Sequence, residues 1–279
     1  MLTLILLSFL LLISKPILAI PPTTESATIS LPTPTEIPPT PAPTLSPYQQ
    51  AKKDYLNQQQ EYSQAYLKYT EKKETHTKYG TITTEKEKME WTKKAIISRN
   101  TLLQKYILAL KTKLSEYSDN NPTNTKKNQI ELEKWISWLK EQNIIVDSLS
   151  NLDDLSQNGQ NFQSKYNSIQ KEIYTSIVQN QCNNYEQILN ELKNLATKIQ
   201  NSDQIETEGQ NWTSDVFIKM DIARDNLNTA LKKTEQKQYG NKFNNFYPQS
   251  KKELSKTNQY SLEIFSNLKS IITKFYQTQ

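Results

Sequence analysis

Histidine occurs once in this chain, as His76, and the chemistry that depends on paired imidazoles goes with it. A Ser-His-Asp triad needs its histidine beside a nucleophile, and zinc sites and Glu-x-x-His di-iron bundles need several ligands. Cysteine also occurs once, as Cys182, so the chain holds no internal disulfide and its stability must come from packing. Arginine is limited to Arg99 and Arg224 among 34 basic residues. The bidentate forks that read phosphates and bases are nearly missing, which argues against nucleic acid as a partner. The net charge is only +5, with lysines scattered among glutamates. Loose attraction to anionic envelope polymers is still compatible with that balance. Beyond the first residues there is no apolar run of membrane-spanning length, and no window alternates as a strand would.

What is present begins with an apolar leader. Leu4 to Ile13 supply about ten apolar residues, the length of a signal-peptide core and short of the ~20 needed to span a bilayer. Ile17-Leu18-Ala19 offers a cleavage site, so residues 1–19 read as a signal peptide, with an uncleaved anchor as the alternative. The usual basic n-region is missing, because Lys15 follows the apolar run. Residues 20–47 form a Pro/Thr/Ser-rich extended linker that holds nine of the twelve prolines. Such a segment favours polyproline II and could reach on the order of 80 Å.

The body, residues 48–279, reads as six helices. Gly80, Pro122, Gly159, Gly209 and the pair Gly240 and Pro248 interrupt the apolar rhythm, and such residues punctuate helices. The first helix opens on Ser46, with Pro47 at N1 and Gln49 completing a capping box. Thr84 with Glu87 and Ser250 with Glu253 suggest two more such starts, and Ser150 stands as a cap before Asp153. Tyr48, Tyr55, Tyr62 and Tyr69 recur every seven residues. So do Met89, Ile96, Leu103, Leu110 and Tyr117 on the second helix. Together they describe an antiparallel coiled-coil hairpin over residues 48–117, ~45 Å long, with further helices over 118–279. The fold class expected is all-α: an elongated antiparallel bundle.

Few side chains stand out as functional. The tyrosine row is unusual for a seam, since each hydroxyl wants water or a partner. Core seam is the favoured reading, and a contact surface of Tyr48, Tyr55, Tyr62 and Tyr69 is the alternative. Trp135 and Trp138 lie three apart on one helix and cannot both be central, which leaves Trp138 as a further contact candidate. Cys182 falls in a stripe with Tyr174, Val178, Tyr185 and Leu189 and reads as a buried small hydrophobe. Glu85, Glu87 and Glu90, like Asp153 and Asp154, occupy first turns of helices, where acidic groups favour the macrodipole. No catalytic, cofactor-binding or metal-ligating set emerges.

Thr84-Glu85, Arg99-Asn100, Tyr106 to Leu114 and Leu152-Asp153-Asp154-Leu155 resemble stretches of uncharacterised exported helical-bundle proteins of candidate-phylum bacteria. The resemblance implies a shared bundle and carries no site residues. The expectation is an exported or cell-surface, non-enzymatic protein without cofactor, acting in scaffolding, adhesion or protein contact. Its partners would be proteins or envelope polymers, with the membrane reached only through an uncleaved leader and self-association possible through coiled-coil faces. A secreted holdase-like module that clasps other exported proteins is the alternative.

Overall fold

The computed structural model describes residues 45–116, 122–202, 207–235 and 243–276. The leader, and the linker up to residue 44, lie outside the described residues, as do Tyr117 and Gly240. Six helices and no strand occur among the described residues: α1 (Pro47–Tyr79), α2 (Ile82–Ser115), α3 (Pro122–Ser148), α4 (Leu152–Gln200), α5 (Thr207–Glu235) and α6 (Phe243–Tyr276).

Local chemistry explains the ends. Ser46 accepts the Gln49 amide at 3.2 Å while the Gln49 side chain accepts the Ser46 amide at 2.9 Å, closing the expected capping box. Gly80 ends α1 with φ 60° and donates to the His76 carbonyl at 2.9 Å, the left-handed cap that glycine adopts at little cost.

Other expected boundaries move. Thr81, three residues ahead of Thr84, caps α2, and Glu87 instead pairs with Lys72 across the hairpin at 2.9 Å. Asn151 caps α4 by accepting the Asp154 amide at 2.8 Å, which displaces Ser150. Gly159 does not break the chain: it lies inside α4, whose buried face continues through Leu155, Asn158 and Phe162. Gly209 sits in the first turn of α5. Ser250 is buried within α6, where its hydroxyl donates to the Ala230 carbonyl at 2.9 Å, and Glu253 pairs with Lys233 and Lys256. The helix starts earlier because Phe246 extends its apolar face into the core; Pro248, in the second turn, removes one helical hydrogen bond and crowds the carbonyl four residues before it, and the helix continues through it.

Successive helices run antiparallel. Asp54 and Lys105, Gln58 and Ser98, and Lys72 and Glu87 pair symmetrically about the turn at Gly80. Lys111–Glu133 and Asn143–Thr101 do the same for α2 and α3, and Lys219–Glu263 and Thr257–Ala223 for α5 and α6. α4, at 49 residues about 73 Å long, is the spine. Its first part packs on α2 and α3, and α5 and α6 pack on it further along. Val178, Leu189, Ala196, Val216, Met220, Leu254 and Ile264 fill the core between α4, α5 and α6. Of the row expected inside α2, Leu110 is buried and Met89, Ile96 and Leu103 are half-buried, while Ile107, Leu114 and the residues one earlier, Ala95, Leu102 and Ala109, are buried as well. The cause is that α2 packs against α1, α3 and α4 and so buries a broad face instead of a narrow seam. No described helix is long and apolar enough to cross a membrane.

Candidate functional site

The tyrosine row divides along its length. Tyr55 and Tyr62 are buried, and Tyr48 and Tyr69 are half-buried. Tyr55 sets its ring edge-on to Tyr106 at 5.4 Å, and burial raises the pKa of both phenols. Tyr48 lies under the Lys113 ammonium at 4.9 Å, and Tyr69 under Lys73 at 5.9 Å. Trp138 is half-buried. It stacks on Phe162 at 5.9 Å and meets Trp135 edge-on at the same distance, so the two tryptophans share one aromatic cluster.

That cluster continues to a residue with no role expected from its place in the chain. Arg99 lies 3.7 Å over the Phe162 ring and donates to the Asn100 side-chain oxygen at 3.0 and 3.3 Å. Burial lowers its pKa to about 10, with Tyr62 and Tyr166 acting in the opposite sense. No carboxylate among the described residues pairs with it. A guanidinium tolerates such a place because it is weakly hydrated and stacks on aromatic faces. The available signal was rarity: one of two arginines in a chain that otherwise uses lysine.

Above this junction the hairpin changes character. Lys93 donates to the Asp147 carbonyl in the last turn of α3 at 2.8 Å, so α2 before Lys93 and the facing part of α1 run on past α3 by about 16 Å. No residue from 63 to 94 is buried, yet Tyr66, Leu67, Tyr79 and Ile82 lie in this stretch as exposed large apolar side chains. A groove of about 870 Å³ runs between α1 and α2, lined by Ala65, Leu67, Trp91 and Ile97, with Lys68 and Lys94 at its rim. Lys94 lies 4.5 Å over Trp91 and pairs with Glu90 at 2.6 Å; Lys68 pairs with Glu71 at 2.8 Å.

The groups singled out for chemistry stay apart. His76 faces the Thr84 hydroxyl at 3.2 Å, Asp154 is engaged at the cap of α4, and Glu87 and Glu90 are in ion pairs. Cys182 is buried with its Sγ 3.8 Å from the Leu227 carbonyl, and burial, with Glu186, pushes its thiol up to about 12. Among the described residues no three His, Cys, Asp or Glu converge as metal ligands. The arrangement offers surface: an apolar groove and an uncovered hairpin end. No family model, curated protein or solved structure matches this chain.

Proposed function

We propose that this is an exported or cell-surface, non-enzymatic helical protein that works by contact, with the outer part of the α1–α2 hairpin as its contact element. One observation carries the reading: across residues 63–94 the hairpin stays helical on both sides of the Gly80 turn with no side chain fully buried, while keeping Leu67 68% and Ile82 75% exposed. Two helices alone do not exclude water from their apolar faces, and uncovered apolar surface on a stable element marks interaction sites. Support for export comes from the leader and the Pro/Thr-rich linker, which would hold an elongated body away from an envelope. The half-buried Tyr69 and Trp138 would extend the contact row towards the bundle.

Fractionation together with sequencing of the mature N-terminus tests the reading. It expects envelope or medium, with residues 1–19 removed or anchoring the chain; an intact cytosolic polypeptide would contradict it. The groove favours a second reading, a holdase that clasps unfolded exported proteins along Ala65, Trp91 and Ile97. Suppression of client aggregation, lost on deleting residues 48–117, would select it over scaffolding.

A further inference from the structure

The end of the hairpin is chemically unlike its flanks. From Thr75 to Thr84 there is no acidic residue, and the stretch consists of five threonines with His76, Lys78, Tyr79, Gly80 and Ile82. Tyr79 and Ile82 stand on either side of the Gly80 turn, and both are exposed, Ile82 more than any other large apolar residue of the described chain. The Lys78 ammonium lies 5.2 Å over the Tyr79 ring. Lys73 and Lys86, one to two turns back on the two helices, are exposed beside the likewise exposed Glu74 and Glu85, whereas Lys72 is occupied by Glu87.

We infer that this tip docks on an anionic lipid surface, with Tyr79 and Ile82 entering the headgroup layer and Lys73, Lys78 and Lys86 meeting its phosphates. The inference rests on reading the hairpin as the contact element. An aliphatic side chain at the apex, a tyrosine beside it and lysines set back along the stems reproduce the order of an interfacial anchor, from acyl boundary to headgroup. Charge complements that order at the apex, where the acid-free span holds Lys78; from Lys73 to Lys86 three lysines outnumber two glutamates, and lysines are drawn to an anionic leaflet within a Debye length. A nucleic acid or acidic polysaccharide would use the lysines but leave Tyr79 and Ile82 in water. A neutral protein surface would use the apolar pair and have no need of an acid-free tip. The contact is small, so it supplements a second attachment instead of replacing one.

The test uses the full chain with a nitroxide on Thr83→Cys, since buried Cys182 does not compete for the label. Vesicles of phosphatidylcholine alone are compared with vesicles containing phosphatidylglycerol. The label should lose collisions with a water-soluble nickel complex and gain them with oxygen on the anionic vesicles alone, and the change should vanish in high salt. Tyr79→Ser with Ile82→Ser removes the apolar surface that enters the layer and should weaken the response about tenfold. Unchanged label accessibility on anionic vesicles, or a response indifferent to that double variant, would overturn the inference. A label on Leu67→Cys that is protected by envelope extract while the tip ignores vesicles would leave the contact reading standing and remove only the lipid.

Discussion

Glu172 is the side chain whose titration bears most simply on stability. Burial raises its carboxyl above the usual range, with Glu131 adding to the effect and Lys171, Lys127 and Lys134 opposing it. A carboxyl raised on folding penalises the native state once ionised. The penalty is absent below the unfolded value, grows as pH rises through the interval up to the folded value, and is fully present above it. Glu172→Gln should therefore raise the melting temperature at neutral pH, and the gain should disappear in acid below the unfolded range; calorimetry across pH checks both. Cys182 leads to a second expectation. With its thiol raised to about 12 and buried, it should resist thiol reagents in the native protein and react fully in denaturant. Phe162 carries the third, because it joins Arg99, Trp138 and Tyr166. Phe162→Ala should cost about 3–5 kcal/mol in urea unfolding, the range for emptying an aromatic core site. Cys182 was legible because its stripe follows one helix face. Arg99 was not, because its environment is assembled from α1, α2 and α4 and no single segment displays it.

Helix ends show how far local sequence reaches. The Ser46 box and the Gly80 stop are local hydrogen-bond patterns, and both appear as the sequence implies. Gly159, Ser250 and Pro248 mislead because packing overrides them: α4 stays buried on both sides of its glycine, and Ser250 is recruited to the Ala230 carbonyl of α5. A glycine in a helix costs up to about 1 kcal/mol relative to alanine, which a continuous buried face offsets. Since nothing within 4 Å would meet an added Cβ, Gly159→Ala should stabilise the protein by up to about 1 kcal/mol. At Gly80, where φ is 60°, the same change should destabilise by a similar amount. A matched pair of thermal melts with opposite shifts would verify the assignment of one glycine to a helix interior and the other to a turn.

At the scale of the molecule, one long helix serves two packing arrangements, α4 with α2 and α3, then α4 with α5 and α6. The all-helical class could be read from apolar periodicity; the six helices among the described residues equal the count expected from Gly and Pro interruptions, although the break expected at Gly159 falls between Ser148 and Leu152. The bare outer hairpin could not be read so, since Met89 belongs to a stripe that looks like any other until Asp147 fixes where α3 stops. Substitutions there should separate binding from folding. Leu67→Ser should change unfolding stability by less than about 0.5 kcal/mol, as expected of an exposed site. The most direct measurement is photocrosslinking in intact cells, with the reactive group at Leu67 and a control at buried Leu114. A discrete adduct with an envelope component is expected from Leu67 and none from Leu114. No adduct from the hairpin, or adducts only with cytosolic components, would contradict it.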